Sequence, residues 1–325
     1  MRKDLLGIKD LPQEEIMHLI TQAAKHKPKV KDKALRDNTM GKISLTTMFY
    51  ENSTRTKMSF LLAAEYLGAY ADDLNISTSS VSKGESLVDT GLMMDAMGTN
   101  IIVMRHGMSG AVHLLAKNVR ASVINGGDGS NEHPTQALLD MFTIWEKKGG
   151  FNGLNVTIVG DIANSRVARS NVFGLTKMGA NVTLAGPATL LSNNMKALGA
   201  SVVTTNVAEA IKNADVVMGL RIQLERQKAV QFPSLREYTR FFGVNNEMLA
   251  LARKDALVMH PGPFNRGVEL SSDVIDGGQS AIYEQVENGV AMRMAVIEYL
   301  VSGQGAVTYE PLQAARRDNI LAMAK

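Results

Sequence analysis

Cysteine is absent from all 325 residues, which excludes disulfides, thiolate zinc sites and a cysteine nucleophile. No apolar run approaches the length that crosses a bilayer. Met1 to Asp10 mixes charged with apolar residues where a signal peptide would carry a hydrophobic core. Charge of one sign is equally scarce: the formal balance is +3, with acids and bases interleaved. Nucleic-acid binding needs a concentrated basic stripe, and the short basic run Lys25 to Lys33 reads as a solvated helix end and loop. No HExxH or comparable metal spacing occurs, nor any internal repeat or low-complexity tract. The single tryptophan carries no functional signal, and the nineteen methionines read as core filler. The expectation is a soluble cytoplasmic protein that binds neither membrane nor nucleic acid.

What is present is a chain too long for a typical single domain and 45% hydrophobic, enough for two sizeable cores. Periodicity predicts a helix over Pro12 to His26, a strand over Lys42 to Tyr50 and an amphipathic helix ending near Gly68. Strands are expected at Ala69 to Leu74, Asn100 to Arg105 and Ala121 to Asn125, with helices at Ser86 to Met97 and Ser109 to Lys117. Pro134 suits a first helical turn and opens a helix to about Trp145. Gly149-Gly150 and Asn152-Gly153 mark a domain boundary, giving domains 1–150 and 151–286. Past it come a strand at Asn155 to Val159, a helix to about Met178, and a strand at Asn181 to Ala185. Further strands are expected near Ala200 to Thr204, Ala214 to Leu220 and Ala256 to His260. A last helix, Glu287 to Val301 within segment 287–325, is expected to return to the first domain. Short apolar strands separated by helices predict an α/β fold: two domains, each a mostly parallel sheet flanked by helices.

In parallel sheets ligands collect at the carboxyl ends of the strands, and polar clusters fall there. After the Lys42 to Tyr50 strand, Ser53, Thr54, Arg55 and Thr56 crowd the start of a helix. A helix start offers unpaired N–H groups and partial positive charge, so it binds phosphate readily. An ordinary N-cap is the alternative, but a cap needs one hydroxyl and no arginine. Arg105-His106 follows the next apolar run, and Gly126-Gly127-Asp128-Gly129 with His133-Pro134-Thr135-Gln136 follows the next. His133 and Gln136 stand three apart across a helix start and can share a crevice.

Gly160-Asp161-Ile162 follows the first strand of the second domain, but Ile162 takes the second glycine place of a dinucleotide fingerprint and Arg166 intrudes. Arg166 and Arg221 follow separate strands; two such arginines suit a dicarboxylate, each carboxylate bound bidentately, while a surface ion pair explains either one alone. Lys83, in the Ser-rich loop Ser77 to Glu85, is by residue type either solvated or functional.

These segments resemble the aspartate/ornithine carbamoyltransferase superfamily and, within it, the aspartate carbamoyltransferase catalytic chains. The matching motifs are FYENSTRTKMSF, STSSVSKGES, HPTQALLD, GDIANSRVARSN, LRIQLERQ and HPGPFNRGVEL, in the family's order from Phe49 to Leu270. STRT with HPxQ marks carbamoyltransferases in general. The aspartate branch is favoured by three features. His260-Pro261-Gly262-Pro263 stands where ornithine enzymes carry His-Cys-Leu-Pro; the loop bears Lys83; and Arg221 with Gln223 replaces an Asp and a Ser-Met-Gly loop. Asn52, where many members have proline, is a departure.

The resemblance implies transfer of the carbamoyl group of carbamoyl phosphate to the α-amine of L-aspartate in an interdomain cleft, without metal or redox cofactor. It implies that Ser53, Thr54, Arg55, Thr56 and Arg105 hold the phosphate, and that Thr56, Arg105 and His133 point donors at the carbamoyl oxygen. Gln136 and the backbone carbonyls of Gly262 and Pro263 would take the amide hydrogens. Aspartate would meet Arg166, Arg221 and Gln223. Ser80 and Lys83 would reach into the adjacent chain's site in a homotrimer. Glu51, a poor neighbour for an anion unless paired, would bridge to Arg166 on domain closure. The resemblance leaves open whether regulatory chains or a dihydroorotase join the trimer, which the sequence does not decide. The alternatives are a transferase for another amino acid and an inactive homologue serving as a scaffold subunit.

Overall fold

The computed structural model describes residues 2–222 and 234–303. Within them the β-branched and apolar runs form nine strands in two separate sheets, both parallel throughout. The first part of the chain runs α1 (Gln13–Lys31), β1 (Ser44–Phe49), α2 (Thr54–Tyr66), β2 (Tyr70–Leu74) and α3 (Leu87–Ala96). It continues through β3 (Ile101–His106), α4 (Ala111–Ala116), β4 (Ser122–Asp128) and α5 (Pro134–Lys148). Its sheet has the order β2-β1-β3-β4.

The second part runs β5 (Asn155–Val159), α6 (Arg166–Lys177), β6 (Asn181–Ala185), β7 (Val202–Thr204), α7 (Val207–Ile211) and β8 (Val216–Gly219). Then come α8 (Leu235–Phe242), α9 (Asn246–Leu249), β9 (Leu257–Met259), α10 (Ser272–Ile275) and α11 (Ile282–Gly303). The order of this sheet is β7-β6-β5-β8-β9.

Three elements differ from their sequence expectation. α1 continues through Pro28 to Lys31 instead of ending at His26: the Pro28 carbonyl still accepts from Asp32 N–H, at 3.1 Å. β4 runs on through Gly126 and Gly127 to Asp128, because an irregularity between Met104 and His106 restores pairing of His106 with Asp128. α11 starts at Ile282, five residues before the expected Glu287, since Gln285 is buried and hydrogen-bonded within the protein.

α5 is buried continuously from Pro134 to Ile144, including Thr135, Gln136, Asp140 and Thr143. A helix enclosed on all sides belongs at the centre of a fold, and α5 packs against α1, α6 and α11. α11 in turn lies on α1 and α2, so the last helix returns to elements of the first part. One hydrophobic cluster runs from Leu45 and Ile101 through Phe142 to Val156, Ile158 and Ile297. Both sheets thus share a continuous apolar core.

Candidate functional site

Both sheets reverse their winding beside their first strand. β1 has β2 on one side and β3 on the other, and β5 has β6 on one side and β8 on the other. Connections leaving neighbouring strands at such a point diverge to opposite faces and open a crevice at the carboxyl ends. Residues after β1, β3, β5 and β8 line a single cleft of about 1160 Å³. Gly160 illustrates the close approach there: its φ is +142°, and a β-carbon would meet the Leu220 carbonyl oxygen at 2.5 Å.

Ser53 occupies the N-cap position of α2 in extended backbone, yet its side chain makes no capping hydrogen bond. Ser165, by contrast, caps α6 by accepting from Ala168 N–H at 3.1 Å. The hydroxyl cluster is therefore not an ordinary cap. Ser53, Thr54, Arg55 and Thr56 all line the cleft, at the positive end of a 13-residue helix. Burial, and next the like charge of Arg221, lower the Arg55 pKa. Gly262 lies against Arg55: its φ is +62°, and a β-carbon there would fall 3.1 Å from Arg55 Cζ.

Arg105, near the end of β3, donates from Nη1 to Gly126 O at 3.2 Å and from Nη2 to Glu51 Oε1 at 2.8 Å. Arg166 opens α6, is 4% exposed, and donates from Nη2 to the same Glu51 oxygen at 2.6 Å. Its Nη1 reaches Glu51 Oε2 and Gly129 O, each at 3.2 Å. Glu51 thereby joins the end of β1 to the start of α6. Its second pairing, with Arg105 of its own sheet, was not foreseen from sequence.

His133 precedes Pro134, and its N–H donates to Ser170 Oγ at 2.9 Å. Ser170 donates to Glu132 Oε2 at 3.0 Å, and Glu132 also accepts from Ile8 N–H at 2.7 Å. The imidazole is buried, with Nδ1 unpartnered. Burial, then Arg105, Arg166 and Arg293, hold its pKa well below the usual value, so it is neutral at pH 7. His260 is likewise buried; its Nδ1 accepts from Gly262 N–H at 2.9 Å, and burial with Arg55 and Arg221 lowers its pKa to about 3.

Gln136, Arg221 and Pro263 complete the expected residues that line the cleft. Lys83 does not line it: this residue is exposed at the end of the 3-10 turn Ser80–Lys83, which also contains Ser80. Gln223 lies outside the described residues.

Sequence reasoning missed the contribution of α11. Gln285, Gly289 and Arg293 line the cleft at spacing i, i+4, i+8, a stripe of one helix face. That spacing, which sets a glutamine and an arginine on one face of the helix, was the available signal. Arg293 is 3% exposed, with its guanidinium 4.9 Å from the Phe60 ring centre. Burial lowers its pKa to about 9 despite the nearby charge of Asp140. Among the described residues five arginines line the cleft, with Glu51 as the acid. Such a site attracts substrates carrying several negative charges.

Residues 3–146 match the carbamoyl-P binding domain of the aspartate/ornithine carbamoyltransferases, and residues 152–300 match their Asp/Orn binding domain. The chain belongs to this family. The aspartate carbamoyltransferase catalytic subunit of Ruminiclostridium cellulolyticum is 60% identical over 305 residues, covering 94% of this chain and 97% of its own. That of Acetivibrio thermocellus is 59% identical over 298 residues, covering 92% and 95%. Among solved structures, Trypanosoma cruzi aspartate transcarbamoylase in complex with carbamoyl phosphate and aspartate aligns with TM-score 0.82 at 28% identity, covering 91% of this chain and 95% of that one. Ornithine carbamoyltransferase from Pyrococcus furiosus aligns with TM-score 0.79 at 32% identity, covering 91% and 96%. Both branches of the family therefore share this carbamoyltransferase architecture.

Proposed function

We infer that the chain is an aspartate carbamoyltransferase, transferring the carbamoyl group of carbamoyl phosphate to the α-amine of L-aspartate. The products are N-carbamoyl-L-aspartate and phosphate, an early reaction of pyrimidine biosynthesis. The observation that carries this reading is the pair of facing anion sites, Arg55 at the start of α2 and Arg105 on one sheet, Arg166 and Arg221 on the other. Aspartate is preferred to ornithine because two arginines suit two carboxylates and repel a second ammonium group. The names of relatives near 60% identity agree.

The phosphate sits on the N-terminus of α2 with Ser53, Thr54, Arg55, Thr56 and Arg105. Thr56, Arg105 and neutral His133 donate to the carbamoyl oxygen, where negative charge grows as the amine attacks. Each such donor contributes on the order of 3 kcal/mol to the transition state. A neutral imidazole donates without adding a charge that burial would penalise. Gln136 with the Gly262 and Pro263 carbonyls accepts the amide hydrogens. The neutral α-amine forms the new C–N bond, the C–O bond to phosphate breaks, and the departing phosphate takes the amine proton. Positioning and electrostatics supply the catalysis.

Aspartate's carboxylates meet Arg166, Arg221 and Gln223, and Glu51 holds Arg166 as the two halves close. The chain works as a cytoplasmic homotrimer in which Ser80 and Lys83 complete the neighbouring site. The exposed position of Lys83, outside its own cleft, supports that exchange. Domain boundaries at 150 and 286 follow the same reading, with the last helix serving the first domain.

The test is phosphate release from carbamoyl phosphate with L-aspartate, L-ornithine or no acceptor, for wild type and Arg55→Ala. Release that requires both aspartate and Arg55 is expected. Release with ornithine alone would overturn the acceptor, and no release from a folded protein would favour a scaffold role.

A further inference from the structure

Asp140 lies one helical turn beyond Gln136 on α5, is fully buried, and does not itself line the cleft. Three side-chain amides converge on it. Gln136 Nε2 donates to Oδ1 at 2.9 Å, Gln285 Nε2 to the same oxygen at 2.8 Å, and Asn171 Nδ2 to Oδ2 at 2.8 Å. The donors come from α5, α11 and α6. A carboxylate in an apolar interior needs such partners; burial still raises its pKa to about 6 against the pull of these bonds and Arg293.

The geometry points to Asp140 as a positioning residue that sets the polarity of Gln136. A glutamine amide turned by half a revolution exchanges an acceptor for a donor at nearly no steric cost. Only acceptors are offered by an ionised carboxylate, so the Gln136 NH₂ group faces Asp140 and the carbonyl oxygen faces the cleft that Gln136 lines. Gln285 is fixed from both ends in the same way: while its NH₂ group binds Asp140, its Oε1 accepts His260 N–H at 2.8 Å. His260 begins the segment whose Gly262 and Pro263 also line the cleft. One carboxylate thus orients an acceptor side chain directly and anchors an acceptor backbone segment through one intermediary. Its consequence is selectivity for a donor bearing N–H over an isosteric donor bearing C–H at the same place. This inference rests on the proposed carbamoyl transfer.

The experiment compares carbamoyl phosphate with acetyl phosphate, in which a methyl group replaces NH₂. Dissociation constants for both are measured on wild type, Asp140→Leu, Asp140→Asn and Gln136→Met, with thermal unfolding of each. Asp140→Leu is expected to cut the preference for carbamoyl phosphate about tenfold, or about 1.4 kcal/mol, while acetyl phosphate binding changes less than about twofold. Asp140→Asn keeps an acceptor for the two glutamines and can donate to Asn171, whose Oδ1 is buried without a partner; it is expected to retain the preference. Equal weakening of both ligands by Asp140→Leu would mean a purely structural role and overturns the inference. Should Asp140→Leu not fold, Gln136→Met decides: an intact preference in that variant overturns it too. Wild type that binds carbamoyl phosphate but fails to transfer to aspartate would count against the proposed reaction, leaving the selectivity result to be read by itself.

Discussion

Glu51 Oε1 accepts from Arg166 Nη2 at 2.6 Å, so a carboxylate at the end of β1 grips an arginine at the start of α6. The same oxygen holds Arg105 at 2.8 Å. An acid amid five arginines therefore sets the spacing of the two proposed anion sites, in addition to moderating their charge. Removing the half-buried Glu51 from the buried Arg166 costs about 2 kcal/mol, the low end of the range for a desolvated, hydrogen-bonded charge pair. Glu51→Gln should accordingly lower kcat/KM for aspartate by ~30-fold, with inorganic phosphate affinity changed only a few-fold. Steady-state kinetics and phosphate titration check this. A loss confined to phosphate binding would contradict the bridging role.

Gly262 provides a second point of coupling, because Arg55 packs where its side chain would be. Gly262→Ala introduces a strained positive φ costing on the order of 1 kcal/mol and pushes the guanidinium off its position. The KM for carbamoyl phosphate should rise about tenfold, while the thermal midpoint falls by only a few degrees. An unchanged KM in a folded variant would show that Arg55 tolerates displacement.

Burial of His260 makes stability depend on pH. Its folded pKa, about 3, lies below the unfolded value of 6.5, so neutral imidazole is favoured in the native state. The contribution is fully present above pH 6.5 and shrinks as the unfolded chain takes up a proton below it. Between pH 8 and pH 5 this amounts to about 2 kcal/mol. Asp140, whose pKa is raised to about 6, acts in the opposite sense over an overlapping range. Comparing wild type with His260→Gln by urea unfolding at both pH values removes the Asp140 part. The stability gap should narrow by about 2 kcal/mol at pH 5, and a constant gap would mean that His260 titrates normally.

The proposed sharing of sites in a trimer makes a further demand. Arg55→Ala and Lys83→Met homotrimers should each be nearly inactive. Chains mixed and reassembled should recover activity, since a site can take Arg55 from one subunit and Lys83 from the next. With cyclic symmetry each mixed trimer regenerates one site, so equal mixing returns about a quarter of wild-type activity. No recovery from mixed trimers that have been isolated would place Lys83 outside the neighbouring site.

Local chemistry carried much of this in the sequence. Apolar runs of strand length separated by amphipathic helices dictate a parallel α/β arrangement, because each strand must be covered on both faces. Ser53 to Thr56, Arg105, His133, Gln136 and Arg166 were legible as polar residues at strand ends, where no core requires them. Tertiary structure alone decided which of these meet. Whether Ser53 caps its helix depends on a hydroxyl's orientation, and the partners of Glu51 come from β3 and α6, 54 and 115 residues away. The roles of Asp140, Gln285 and Arg293 were equally hidden, since polar residues on buried helices gain meaning only from the helices packed against them. Sequence periodicity records which face a residue occupies, while the hydrogen bonds that give an amide its direction arise when distant segments close into one core.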